Sequence, residues 1–495
     1  MTNREHSDGP AERLPSSLVL AFDASVLFEE GADKSTVLVG GSPLRLLRLR
    51  GRAKALVERW HKGEPVRAGS SPGVVALARR LLQAGMAHPR WADADTGPHL
   101  ADVTVVIPVH QRRAALERLL TSLDDLRRDC VAEVIVVDDG STDGSGELAA
   151  AWGARVIRRP DPSGPAAARN AGLAEVRSSH VAFLDSDCET TPAWLPPLLA
   201  HFCDPTTAVV APRIRSAGNG TAVERYEAVR SALDLGPVEG RVAAGTRVSY
   251  VPSAALVCRV DAVRLLDGFD ETMPVGEDVD LLWRMTQAKG EIRYEPASVV
   301  FHHDRTTLAE LSNRRYAYGT SAAALHLRHP GQVPPLVLSP WSLAAWVCAL
   351  GLTPASAVIG IGIAAGSAAR LPRKLSMLTN NKQIGWRLAT RGHWHSGEQL
   401  GAAAWRSYLP VVAVLATRSR RARAMLAIGL LSNVGEWRVR RPALDPLRYV
   451  GLRVIDDASY CAGVWAGCIR QRTIGPLVPK FPNWPGRRSP TEDVS

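Results

Sequence analysis

Apolar and polar positions change their rhythm several times along the chain. From residue 103 to about residue 331, short β-branched apolar runs alternate with stretches whose apolar positions recur every three or four residues. Such alternation predicts strands and helices of an α/β sheet. Ahead of it, LVLAF (18–22) and VLVGG (37–41) have strand character and GRAKALVERW (51–60) helix character. A second helix is predicted within PGVVALARRLLQAGM (72–86), where Val74, Val75, Ala78, Leu81 and Leu82 share one face. These segments form a small α+β unit over residues 16–95. A polar, disordered leader (1–15) precedes it, and a linker with Asp93, Asp95 and Gly97 follows.

Behind the sheet the pattern is lost. Residues 330–369 are forty positions without Asp, Glu, Lys or Arg. A spanning helix needs ~20 apolar residues, and the runs 336–352 and 355–369, separated near Pro354, are each shorter. The expectation over 332–370 is a membrane-embedded hairpin or interfacial helices, with a soluble helical pair as the alternative. Residues 371–485 then read as a basic, Trp-rich helical region, and 486–495 as a polar tail.

At 495 residues, 46% apolar and 22% charged, the chain suits two or three globular domains and excludes a disordered chain or disulfide scaffold. Its net charge of +11 is unevenly placed: residues 370–423 hold eleven cations against one anion, Glu398. A cationic block beside an apolar run suits the anionic inner leaflet of a membrane. Trp386, Trp394 and Trp405 lie among those cations and keep a nucleic-acid groove in view. The apolar neighbour favours the membrane surface, and no nucleic-acid partner is expected. Seven Cys without a CxxC, and a polar start with no apolar signal core, lead us to expect the working part on the cytoplasmic side.

Several strand ends carry candidate chemistry. VTVVIPVHQR (103–112) and VIVVDDGSTDG (134–144) stop abruptly at polar residues, where an open α/β sheet binds ligands. Asp138 and Asp139 could accept from a base or a ribose hydroxyl, or merely cap a turn. PSGPAAARNAGLAEV (162–176) opens a helix whose exposed N–H groups suit phosphate, with Arg169 as a supplement; a plain loop-to-helix junction is the alternative.

VAFLDSDCE (181–189) delivers Asp185 and Asp187 to one side of an extended backbone, oxygen ligands suited to a divalent cation shared with a diphosphate. Glu277 and Asp278 in GFDETMPVGEDVDLLWRM (268–285) start a helix, where capping and general-base roles can coexist. YEPASVVFHHDR (294–305) ends on His302 and His303, and NRRYAYG (313–319) supplies Arg314, Arg315 and Tyr316 for diphosphate or sugar contacts.

Taken in order, IPVHQR, VVDDGSTDG, AARNAGL, FLDSDC, GEDVDL and VFHH resemble the inverting family 2 glycosyltransferases with a GT-A fold. The resemblance implies an α/β nucleotide-sugar-binding domain over 100–331. It implies Pro108, Asp138, Asp139, Arg169, Asp185, Glu277 and Arg315 around a nucleotide sugar, with Asp139 near the base and Asp185 near the ribose. It further implies Mg²⁺ or Mn²⁺ on Asp187 and His302, with His303 as the alternative ligand, and Asp278 as catalytic base. The QxxRW signature of processive synthases is absent, so a long extruded polymer is not expected. The N-terminal unit is similar to winged-helix-like peptide-recognition domains. That order of segments resembles the glycosyltransferases of the mycofactocin system. It implies a UDP-sugar donor, UDP-glucose first, and a small peptide-derived acceptor, pre-mycofactocin. A family 2 enzyme with a cell-envelope lipid or polysaccharide acceptor is the runner-up, and a non-catalytic sugar-nucleotide binder is the third reading.

Overall fold

The computed structural model describes residues 14, 18–67, 70–91, 97–128, 133–481 and 492–494. The leader but for Leu14, most of the tail, and the linker positions Asp93 and Asp95 lie outside the described residues.

The alternating segment folds as expected into one mixed sheet flanked by helices. Its strands run in the order Cys188–Thr190, Glu291–His302, Thr207–Ser216, Ala255–Arg259, His180–Leu184, Val103–Val109, Glu133–Asp139 and Arg155–Arg159. The last four are parallel, while Ala255–Arg259 is antiparallel to both neighbours. Side chains alternate across the sheet: Val103, Val105, Ile107 and Val109 enter one core and Val106 the other. Because the parallel strands share a direction, IPVHQR, DDGSTDG and DSD emerge at the same carboxyl edge.

The N-terminal unit contains the two expected helices, Gly51–His61 and Pro72–Gln83, and the five apolar positions of the second are buried. It is richer in strands than its apolar runs suggested: Leu27–Glu30, Arg45–Leu49 and Ala87–Trp91 join Leu18–Phe22 and Thr36–Gly40. The unit is fastened to the rest of the molecule on two sides. Arg79 bonds to Asp204 and Thr206, and Arg247 pairs with Asp23 at 3.0 Å. On another face, Val37 and Val39 pack against Leu375, Leu378 and Ile384.

The C-terminal region consists of the helices Pro340–Ala349, Pro354–Lys374, Asn381–Arg406, Leu409–Ala416, Arg420–Arg440 and Pro446–Arg470. The first two pack on each other as a helical hairpin, and the second runs past residue 369 into the cationic block. Among the described residues, Pro354–Arg373 is one helix long and apolar enough to cross a membrane, and only 11% of it is buried. Val358, Ile359 and Ile361 project outward. That is unlike the core helix of a soluble pair, which would bury its apolar surface. The helix Pro446–Arg470 docks instead on Leu308–Arg328, where Gly319, Gly463 and Gly467 bring the two backbones together.

Candidate active site

The carboxyl edge of the sheet opens into a cavity of about 930 Å³, reaching from Asp139 and Gly164 to helices of the C-terminal region. The adjacent carboxylates of the second strand part company there. Asp139 lines the cavity and accepts from the N–H groups of Ser163 (3.0 Å) and Gly164 (2.8 Å), fixing the loop at the floor. Asp138 does not reach it. Its carboxylate accepts from Ser141 N–H at 2.9 Å and caps the turn, because neighbouring residues on a strand point to opposite faces. Pro108 lines the cavity beside them.

Asp185 and Asp187 both face the cavity, as their spacing predicted. Arg169 is almost wholly buried between Asp185 (2.5 Å) and Glu277 (3.1 Å). The expected phosphate supplement is therefore corrected: this guanidinium neutralises two carboxylates and fixes their positions. Burial lifts Glu277 to about 7, with Asp278 beside it adding to the effect and Arg169 opposing it.

The strand pairing Cys188↔His302 sets the metal candidates. His302 Nε2 stands 3.4 Å from Asp187 and its Nδ1 3.0 Å from Asp304. His303 points the other way, to Glu189 at 3.0 Å, so of the two histidines His302 faces Asp187. Burial pushes the His302 imidazole down, but the two flanking carboxylates hold it up at about 10. Burial pushes Asp187 up, yet His302, Arg112 and Arg305 together hold it well below the usual carboxylate range.

Among the described residues no group of three or more metal-ligating side chains gathers. Mg²⁺ binds through one or two carboxylates plus substrate phosphates rather than an all-protein cage. Two observations fit such an ion. Asp304 Oδ2 is buried without a hydrogen-bond partner, and Arg112 occupies Asp187 at 2.5 Å as the cation in place.

Asp278 begins the helix Glu277–Gln287 and faces the cavity, accepting from Ser253 N–H at 3.1 Å. Arg315 also borders the cavity, but it is tied to Glu227 (2.5 Å) and Asp456 (3.1 Å). Its expected donor contact is corrected to a buried link with the C-terminal helices. Arg314 lines the cavity and, among the described residues, forms no carboxylate ion pair. Tyr316 lies outside the lining residues, whereas Tyr318 is among them. Arg112, Asp304, Tyr250, Arg406, Asp456 and Tyr460 belong to the cavity without having been assigned a role from sequence. Arg112 and Asp304 did lie inside motifs already singled out.

Residues 104–262 match the family described as Glycosyl transferase family 2. Proteins of two strains of Mycobacterium tuberculosis named "Pre-mycofactocin glycosyltransferase" are each 42% identical over 486 residues, covering 95% of this chain and 99% of theirs. Glycosyltransferase AglE of Haloferax volcanii is 25% identical over 225 residues, 44% of this chain and 71% of its own. Among solved structures, a mannosyltransferase from Pyrobaculum calidifontis in complex with GDP-Man and Mn²⁺ is 17% identical, with a TM-score of 0.41. That likeness covers 74% of this chain and 87% of the other.

Proposed function

The chain belongs to glycosyl transferase family 2 and is a glycosyltransferase of GT-A fold, and from that premise we propose that it moves glucose from UDP-glucose to pre-mycofactocin. The product is a short β-1,4-linked oligoglucoside. The observation that carries the reading is the reach of the likeness to the pre-mycofactocin glycosyltransferases, which extends through the N-terminal unit and the C-terminal helices.

The reaction needs no enzymic nucleophile. Asp278 accepts the proton of the attacking hydroxyl, whose O–H bond breaks as its oxygen bonds to C1 of the sugar. The C1–O bond to the diphosphate breaks on the opposite face, its electron pair leaves with UDP, and an α-linked donor becomes a β product. Asp187 and His302 would hold Mg²⁺ or Mn²⁺, which supplies positive charge to the leaving diphosphate. Arg305 and Arg314, both lining the cavity and both felt electrostatically at Asp187, add to that charge. Asp139 keeps the 162–164 loop in place beneath the nucleotide, and Arg169 holds Asp185 and Glu277.

The catalytic domain works on the cytoplasmic side of a membrane, with the inner leaflet as a partner. The exposed apolar helix Pro354–Arg373 beside the cationic block supports this. High salt should leave the full-length protein on membranes if the helix is embedded, and release it if charge alone holds it. A protein that stays soluble at low salt refutes the attachment.

The direct assay combines UDP-glucose, Mn²⁺ and pre-mycofactocin and follows hexose additions by mass spectrometry. A ladder of added hexoses is expected. No addition, together with transfer to a polyprenyl phosphate, would overturn the acceptor in favour of the envelope reading, which the same exposed helix suits.

A further inference from the structure

The donor side of the cavity uses the sheet edge, but around Asp278 the lining draws on elements outside that edge. The lining there includes tyrosines from three separate elements: Tyr250 from the loop before Ala255–Arg259; Tyr318 from Leu308–Arg328, which accepts from Arg314 at 3.0 Å and so lies between donor and acceptor sides; and Tyr460 from Pro446–Arg470. Along that last helix, Asp456, Tyr460, Gly463 and Gly467 follow at intervals of four, three and four, so they share one face. The glycines seat this face on the partner helix. A Cβ on Gly463 would stand 2.9 Å from the Cα of Gly319, and one on Gly467 2.6 Å from the carbonyl oxygen of Thr320. The close crossing brings Tyr460 against Gly319, the residue after Tyr318.

Charged groups back the rings. Arg406, at the end of Asn381–Arg406, lies 4.3 Å from the Tyr460 ring centre and pairs with Asp457 at 2.8 Å. One oxygen of Asp456 accepts from Tyr226 and lies 3.1 Å from Arg315. The other, buried, accepts no hydrogen bond, with Arg406 at 3.7 Å. Burial holds the Tyr250 phenol up at about 12, with Tyr460, Asp278 and Tyr318 adding to it, so it remains a hydrogen-bond donor.

We propose that Tyr250, Tyr318 and Tyr460, backed by Arg406 and Asp456, form the acceptor chamber, and that its ligand is a hydroxyl-bearing sugar ring. The C–H face of a pyranose matches an aromatic wall, while its hydroxyls match phenols, a carboxylate and a guanidinium. A hydrocarbon acceptor would leave the second Asp456 oxygen without a hydrogen bond. The C-terminal helices are thus half of the active site. The glucoside made in one transfer then fits as acceptor for the next, which deepens and rests on the glucosyl-transfer reading.

The test titrates cellotriose into the full-length protein saturated with UDP and Mn²⁺, followed by calorimetry. Tyr460→Ala should weaken binding about tenfold, the scale of one lost aromatic contact. Tyr460→Phe keeps the ring and should restore affinity to within about twofold on the same scale. Tyr250→Ala, on the facing loop, should weaken binding to a similar degree and serves if the helix variant misfolds. UDP affinity, measured separately, should stay constant in all three. Unchanged cellotriose affinity in both alanine variants overturns the chamber, as does a parallel loss of UDP affinity or a wild type that does not bind cellotriose. A wild type that binds cellotriose in a Tyr460-dependent manner, yet transfers no glucose to it from UDP-glucose, keeps the chamber and counts against the glucosyl-transfer reading.

Discussion

Gly463→Ala should destabilise the protein although alanine is the better helix former. The added methyl would overlap the carbonyl oxygen of Tyr316 and meet the Cα of Gly319, both backbone atoms that cannot rotate away. Ordinary contact begins at 3.4 Å, so even the milder neighbouring site, Gly467 at 2.6 Å, requires the helices to part by about 3.4 − 2.6 = 0.8 Å. Overpacking of this kind costs about 1–3 kcal/mol. Parting also stretches the buried pair of Arg315 with Asp456, now at 3.1 Å, although Arg315 keeps Glu227 and Asp456 keeps Tyr226. Against these stands a helix-propensity gain of about 1 kcal/mol for Gly→Ala. Overpacking at the upper end of its range, less the propensity gain, leaves a net loss of about 2 kcal/mol, which at the ~2–4 °C per kcal/mol of a 150–250-residue domain lowers the melting temperature by at most about 4–8 °C. Gly451→Ala is the control, since the same helix has open space there. It should be neutral or raise the melting temperature by a few degrees, with propensity acting alone. Thermal unfolding of the two variants beside the wild type decides. If Gly463→Ala melts at or above the temperature of Gly451→Ala, the close crossing does not hold this helix in place.

Three further outcomes follow from the site. Asp187→Asn should lower turnover about 10²–10³-fold, the scale of one lost electrostatic stabiliser, and EDTA should add little to that loss; full wild-type activity after exhaustive EDTA would refute a metal at Asp187. Asp278→Asn should bind UDP-glucose normally but lose about 10²–10⁴ in kcat, the range for a general base; a loss confined to donor affinity would make Asp278 a binding group. Glu277 is raised to about 7, so between the ordinary carboxylate value of 4.5 and about 7 its folded form holds a proton that the unfolded chain has released. Its contribution to stability is full below 4.5 and declines as pH rises through about 7. Urea midpoints from pH 5 to 8 should therefore fall less steeply in Glu277→Gln than in the wild type, and parallel curves would refute the assignment.

The donor half was legible because it is local. Each motif is an apolar run ending in polar residues, and parallel strands place such ends on one edge regardless of distant contacts. The reading failed where phase or partner mattered. Asp138 and Asp139 look alike in sequence, and only the register of Glu133–Asp139 sends one to the cavity and the other to Ser141. Arg169 and Arg315 looked like free cations, but their counter-charges Glu277 and Asp456 lie more than a hundred residues away. The strands Leu27–Glu30 and Arg45–Leu49 escaped because charged residues interrupt their apolar runs. Asp456 and Tyr460 had one sequence signal, the small-residue face they share with Gly463 and Gly467, which needs Gly319 opposite to acquire meaning.

The two flanking regions converge on the same half of the cavity. From the N-terminal unit, Asp23 pairs with Arg247 at 3.0 Å, and Ser42 Oγ accepts from the Arg247 N–H at 2.5 Å. Three residues later the same loop presents Tyr250, and Ser253 donates to Asp278. From the other end, Tyr460 and Arg406 reach the chamber on helices held by Gly463 and Asp457. Asp139, Asp185 and Asp187, the donor groups of the proposed reaction, stand at strand ends of the central sheet. This division explains how a common sheet can keep its nucleotide-sugar chemistry while acceptor choice changes. The segments that frame the incoming hydroxyl are anchored outside the sheet, where substitutions alter the chamber without moving the leaving group.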